Sequence, residues 1–527
     1  MAAPVGSHEP GAVVESRSNF RYDAPVLLAC GLAILAVALG LILGLTRSRA
    51  LVGPLRSFAL SAALVVVASH LVPEALSELG AAGLLVFTLS VAGPAWVGLV
   101  RAEHDHAHGG HGALGAGYAG LLLHHVGDGL GLGAYTSLPG GALAHFSVLL
   151  ALVVHTVPLV AVVTFAFRSV GGVRAALARS AGLALASVLG VLGSGLVPEE
   201  LSHRLAAWIA AGVAGLLLHV VTHDLARDLP TNAVGRAADW FGAALGVGVS
   251  VLGALHEHAE HIEHGASSAA LLEVALATAP ALLIALVLVA FVRVPQGALG
   301  RAAASAFGPA RGFDGLVLAA LLVGPSFGLG FAAGLLVVVG VLVGVRWLPH
   351  EAVSTQRSVR LAQYGPWLVT GVVLAAVLRA GLSAGALVSV PAPLALSVVV
   401  LAAIPGKIPA VASVPVAAAL LERGLYPGAA LAFALLGPLP VLTWLVRAPR
   451  LSEGVRVLLA NAGLVALVCV LVGLGIAYGV SLVALLPRAV AWACLGLAVA
   501  PLLPVAWTRG PRGFVASVFP SHDTAAT

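Results

Sequence analysis

From Ala24 to Leu45 the chain runs through APVLLACGLAILAVALGLILGL without one charged side chain. A helix of about 20 apolar residues spans the hydrocarbon core of a bilayer, and a soluble domain has no use for so long an unbroken apolar run. Runs of this kind recur to the end of the chain, separated by short breaks marked with Arg and Pro. Of the 527 residues, 60% are hydrophobic and 9% are charged, too little charge to cover a soluble surface. The fold class expected is therefore all-α: a polytopic integral membrane protein with about 16 transmembrane helices, some of them broken or re-entrant in the C-terminal half.

Residues 1–24 carry charges and two prolines and read as an N-terminal tail. The apolar run after them lacks a small-residue cleavage site, so it reads as a retained first helix rather than a signal peptide. Eight spans are expected in the first half, near 25–45, 55–76, 82–100, 114–137, 143–167, 174–196, 204–223 and 237–255. Arg47, Arg49 and Arg56 follow the first, Glu74 and Glu78 the second, Arg101 the third, and Arg168, Arg174 and Arg179 the fifth. By the positive-inside rule this alternation places the N-terminus outside and the Arg-bearing loops in the cytoplasm, with the plasma (inner) membrane as the expected location. A His-rich linker, 257–269, separates this eight-helix unit (25–256) from a second transmembrane unit (270–508), which a tail at 509–527 follows. The second unit is punctuated by Pro and Gly, as in VGPSFGLGF, SVPAPLAL and LLGPLPVL. Interrupted helices at membrane depth are tolerated where they line protein or a cavity.

Ionisable groups inside spans are costly and mark function by default. The fourth span carries LLLHHVGDGLGLGAY, residues 121–135. His124 and Asp128 are four apart and share a helix face, with His125 beside them. Imidazole nitrogen and carboxylate oxygen are ordinary ligands for zinc and similar divalent ions. Gly127, Gly129, Gly131 and Gly133 permit close helix approach. The fifth span carries HTVP, with His155 three residues before Pro158, whose missing N–H leaves a backbone carbonyl free. His124, His125, Asp128 and His155 are the candidate metal ligands. His70 and Glu74 in SHLVPEAL, and His219, His223 and Asp224 in LLLHVVTHDL, are candidate relays at the mouths of a path. The loop EHDHAHGGHG places His104, His106, His108 and His111 on a Gly-rich tether that can gather a borderline cation. His145 reads as a hydrogen-bonding strut between helices.

Cys30, Cys469 and Cys494 are far apart and form no CxxC pair, so no disulfide framework or thiolate site is expected. There is no basic stripe or nucleic-acid motif, no ATP-binding loop, and no nucleophile–base pair that would mark an enzyme. The expected partners are a metal ion and the lipid bilayer. Small-residue faces are compatible with a homodimer.

On SHLVPEA, the His-rich loop, HHVGDG and HTVP, residues 25–256 resemble the ZIP family of zinc/iron-type transporters. The resemblance implies transport of a divalent metal between these helices, with His124, Asp128 and His155 as ligands and His125 where the family has Asn. Thr156, Leu159 and Val160 stand where the family places Glu, His and Glu, so at most one metal site is implied. The second half resembles a permease family that includes heavy-metal and arsenic exporters. That likeness rests on IPGKIPAVASVPVAAALLERGLYPGAALAFALLGPLP (404–440), with Pro405, Lys407, Pro409, Pro415, Gly428 and Pro438 as its motif positions. Pro409 stands where the familiar form has Cys, which removes the thiolate.

The function expected is membrane transport of a divalent transition metal, zinc first, iron or manganese also fitting, with no tightly bound cofactor. Histidines that exchange a proton for metal suit proton coupling. Two alternatives stay open: a permease acting through the second half with the first as a metal-binding regulator, and a non-transporting membrane metal sensor.

Overall fold

The computed structural model describes residues 24–45, 49–102, 109–137, 146–195, 207–215, 218, 229–257, 266–291, 313–345, 357–403, 408–438 and 486–518. Among the described residues the regular structure is all helical, with no strand. The helices of the first half are α1 (Ala24–Leu45), α2 (Arg49–Val66), α3 (Val72–Leu79), α4 (Ala81–Ala102), α5 (Gly109–Ser137), α6 (Phe146–Ser194) and α7 (Ala233–Glu257). Those of the second are α8 (Ala266–Phe291), α9 (Phe313–Leu318), α10 (Pro325–Val345), α11 (Arg357–Gly381), α12 (Ala392–Ala403), α13 (Ala410–Glu422), α14 (Pro427–Leu436), α15 (Arg488–Val499) and α16 (Leu502–Ala516).

The solvent this fold is built for shows in α1. Its buried face is small: Ala29, Ala33, Ala36 and Val37 are at most 8% exposed. Its large side chains, Leu27, Ile34, Leu35 and Ile42, point outward and are more than half exposed. Water would not tolerate that arrangement over a whole helix, whereas lipid does: small residues let helices approach closely, and bulky ones meet the acyl chains. Leu185 and Leu189 on α6, and Leu329 and Leu336 on α10, point outward in the same way. Four stretches among the described residues are long and apolar enough to cross a membrane: Val26–Leu45, Val170–Ser194, Leu272–Val289 and Tyr364–Gly381. The pair α15 and α16, bent by 59°, makes a fifth if taken as one span. The regular structure of the described residues is thus all helical, and its long apolar helices fit a membrane-embedded protein.

The long run α6 is two arms folded back at Gly172, whose φ of 74° is a left-handed conformation that suits glycine. The proof of the fold-back is a hydrogen bond. Thr164 Oγ1 and Ser180 Oγ lie 2.9 Å apart, while sixteen residues of straight helix would separate them by about 24 Å. The break falls in SVGGVR, between the spans expected at 143–167 and 174–196.

Glycines set the neighbours of these arms. Gly40 and Gly44 of α1 lie against Val157, Val160, Ala161 and Thr164 of the first arm. Gly129 and Gly133 of α5 lie against Ser187, Gly190, Val191 and Ser194 of the second. Gly242 and Gly246 of α7 lie against Pro54, Phe58 and Ser61 of α2. In each contact residue numbers rise together, so each pair of helices runs parallel.

Two π turns share one construction. In Val67–Leu71 the Val72 N–H bonds to the Val67 carbonyl, and Pro73 follows. In Ala319–Val323 the Gly324 N–H bonds to the Ala319 carbonyl, and Pro325 follows. A proline cannot bond four residues back, and the residue before it reaches five back instead, widening the turn.

One apolar core runs through both halves: Val37, Leu159 and Leu183 belong to the same cluster as Phe327, Val411 and Leu435. The end of α11 rests on α3, with Gly381 against Pro73 and Leu76. Residues 509–516, read from the sequence as the start of a tail, lie in α16 instead, with Arg512 only 2% exposed. There Arg512 donates from Nε and Nη2 to Asp239 Oδ2 of α7, at 3.0 and 2.9 Å. The linker 257–269 lies largely outside the described residues.

Candidate functional site

The fourth expected span becomes α5, and His124 and Asp128 sit near its middle, one turn apart on one face. His124 Nε2 is 3.4 Å from Asp128 Oδ2; His124 is buried and Asp128 is 17% exposed. His125, the next residue, is turned roughly 100° around the helix. It is wholly buried, with its Nδ1 2.9 Å from Ser187 Oγ on the second arm of α6. The two imidazoles meet edge to face, with centroids 5.7 Å apart.

The alternating glycines explain how His125 reaches Ser187. A Cβ on Gly129 would collide with the Ser187 carbonyl oxygen, and one on Gly190 with the Val126 carbonyl oxygen. The two backbones therefore touch, and a short hydroxyl is enough to meet the ring. At one end of the same contact, Tyr118 donates to the Arg179 carbonyl at 2.8 Å, and the Arg179 guanidinium lies over the Tyr118 and Phe167 rings. The contact is thus pinned at the histidine and again some two turns earlier.

His155 belongs to the first arm of α6; its backbone is helical, and its side chain lies outside the described residues. The positions around it are packing positions. Thr156, Leu159 and Val160, which stand where the resemblance has ligands, are buried, and Val160 packs on Gly40. Among the described residues no group of three or more His, Cys, Asp and Glu side chains converges on one point. What is on view is the pair His124–Asp128, with His125 engaged by Ser187.

His70 falls in the π turn Val67–Leu71 and Glu74 in the first turn of α3, with both side chains outside the described residues. His219, His223 and Asp224 lie outside them, as do His104, His106, His108 and His145; His111 is in the first turn of α5, its side chain also outside. Pro405 and Lys407 lie outside as well.

The rest of the second-half motif forms a helical hairpin. Pro409 caps α13, Pro415 is buried within it, and Gly428 is the second residue of α14. The connecting turn contains Gly424, at φ 90°. The Ile408 N–H donates to the Gly437 carbonyl at 2.7 Å, so the chain returns to where it entered, and Pro438 follows. At 13 and 10 residues, α13 and α14 are about 20 and 15 Å long. Neither reaches across a core of about 30 Å. Beside the hairpin turn opens a cavity of about 690 Å³, lined by Leu322, Leu387, Val390, Glu422 and Tyr426 among others.

Two buried acidic residues among the described ones were not singled out from the sequence. Asp239, in ADWFG, has its partner 273 residues away, and no local signal points to it. Asp314, in FDGLVLAALLVGP, was detectable as an acid opening an apolar run; it is 0% exposed. No family model, curated protein or solved structure matches this chain.

Proposed function

We propose that the chain is a transporter of divalent transition-metal ions, zinc first, and that His124 and Asp128 hold the ion in transit. The observation that carries this reading is the separation of the pair. Two ligands of a tetrahedral zinc, each about 2.0–2.1 Å from the ion, lie about 3.3 Å from each other. His124 Nε2 and Asp128 Oδ2 are 3.4 Å apart, so they form an edge of such a tetrahedron without rearrangement. Their burial within an apolar helix bundle is the setting in which ionisable groups mark an ion path. His155 is the third ligand in this reading. Ser187 holds His125 as an outer group that orients the helix.

The proposal includes about sixteen spans, with the N-terminus outside the plasma membrane. Parallel packing of α1 with the first arm of α6, α5 with the second, and α2 with α7 supports the order of the first eight. The members of each pair are an even number of crossings apart in the expected list. In the second half, the short hairpin α13–α14 supports a re-entrant element.

The test is zinc uptake into proteoliposomes by wild type, His124→Ala and Asp128→Asn. Loss of at least tenfold in both variants is expected. Wild-type rates in both would refute the assignment. A second reading has one observation in its favour, the 690 Å³ cavity beside the hairpin turn. It routes substrate through the second half, with the first as metal-binding regulator, and predicts that these variants alter metal response but not flux. Binding without flux in wild type would identify a sensor.

A further inference from the structure

Asp314 lies in α9, the short helix that leads into the π turn Ala319–Val323. It is fully buried, and neither carboxyl oxygen has a hydrogen-bond partner of good geometry. The backbone N–H groups of Asp314 itself and Gly315 lie beside the carboxyl. Around it the packing is apolar and tight. A Cβ on Gly315 would overlap the Phe331 ring of α10 and Ala410 of α13, and Phe331, Ala410 and Leu318 are 0% exposed.

Among the described residues, the helices packed against α9 bring no countercharge. On α8 the titratable residue is Glu273, 71% exposed and 3.8 Å from Arg379. On α13 it is Glu422, 2.9 Å from the same Arg379 and about 18 Å along the helix from Ala410. The π turn and α10 contain no titratable side chain.

These facts select the ligand. An ionised carboxylate without a partner is not tolerated in such surroundings. A metal ion needs several oxygen or nitrogen ligands, and the described surroundings supply one carboxyl group. A proton needs only that one. We propose that Asp314 is a proton-binding site, neutral while α9, α10 and α13 are packed around it, and exchanging its proton when that packing opens. The place to open is at hand: α9 ends in the π turn and in Gly324, whose φ of 138° breaks the helix from α10. The far end of this segment, Leu322 and Val323, lines the 690 Å³ cavity. The proton site stands on these observations alone. Its use as the coupling site rests on the transport reading above.

Infrared spectroscopy of the full chain in lipid nanodiscs tests it, with wild type beside Asp314→Asn. The expected result is a carboxylic-acid carbonyl band at neutral pH that the variant lacks. The band shifts in D₂O and disappears reversibly as the pH is raised. No Asp314-dependent acid band at neutral pH would overturn the proposal, as would a band unmoved by both D₂O and alkali. If Asp314→Asn does not fold, Asp314→Glu replaces it, with a displaced band and a changed midpoint expected and an unchanged spectrum refuting. In proteoliposomes Asp314→Asn should lose at least tenfold in pH-driven zinc uptake while zinc–zinc exchange stays within about twofold. Undiminished pH-driven uptake would refute the coupling role. Absence of zinc flux in wild type would refute zinc transport and leave the infrared result to decide the proton site.

Discussion

Breaking the Arg512–Asp239 pair tests whether the last helix holds the two halves together. Both guanidinium donors, at 3.0 and 2.9 Å, meet one oxygen, Oδ2, and both side chains are 2% exposed. The other oxygen, Oδ1, faces Gly53 of α2, where a Cβ would come within 2.6 Å. The pair therefore joins α16, α7 and α2 at one point. At an effective dielectric of about 20, unit charges 2.9 Å apart attract by about 6 kcal/mol. Much of that is offset by taking both from solvent, and the measured loss on removing one partner of a buried pair is about 3–5 kcal/mol. Arg512→Met keeps most of the side-chain volume and leaves the carboxylate alone in the interior. The assay is the apparent unfolding midpoint of purified protein at a fixed scan rate, because unfolding of such a chain is commonly irreversible. A drop of about 3–5 °C is expected for Arg512→Met and for Asp239→Leu. The double variant should recover over half of either loss, since no charge is left unpaired. Midpoints within a degree of wild type for the single variants, or a double variant equal to the sum of the two, would refute the reasoning.

Gly129→Val should lower the midpoint by the equivalent of about 1–3 kcal/mol, because its Cβ meets the Ser187 carbonyl oxygen, which is backbone and cannot turn aside. Gly31→Ala, whose added methyl meets nothing within 4 Å, is the control and should be neutral or slightly stabilising. In a chain with Cys30, Cys469 and Cys494 replaced by Ala, Thr164→Cys/Ser180→Cys should form an intramolecular disulfide in mild oxidant. The 2.9 Å between the native hydroxyls puts the two Cβ atoms within reach of one. Failure to cross-link would remove the fold-back at Gly172.

Several helices of the first half were readable because lipid asks little of a sequence beyond length and apolarity. The run Ala24–Leu45 became α1 end to end, and the charged break SVGGVR became the turn at Gly172. What could not be read was which helix meets which. Partner choice here is made by glycines touching backbone, as Gly190 does at the Val126 carbonyl, and such contacts leave no hydrophobic pattern. The same holds for the site. The His124–Asp128 pair follows from spacing alone, whereas the engagement of His125 by Ser187 depends on the register between α5 and the second arm. Asp239 with Arg512 is the extreme case, a buried charge whose meaning lies 273 residues away.

The two halves also differ in how they could move. Along α5 the glycines bring backbone against backbone on the second arm of α6, while Tyr118 and Leu122 lie against Gly182 and Leu130 against Gly193. His125–Ser187 and Tyr118–Arg179 are two hydrogen bonds that fix the register. A shift of even one residue along the axis, about 1.5 Å, would stretch both. Motion there is therefore gated by polar contacts, one of them next to the proposed ligand His124. In the second half no such pin appears among the described residues between α9 and α13; the contact is Gly315 against Phe331 and Ala410, held by apolar packing and flanked by Gly324. A proton at Asp314 favours the closed packing, because only the neutral acid is compatible with it. Its release favours opening, because the carboxylate needs water. That asymmetry gives the second half a physical means of driving the first through their shared core, where Gly381 of α11 rests on Pro73 and Leu76 beside the first π turn.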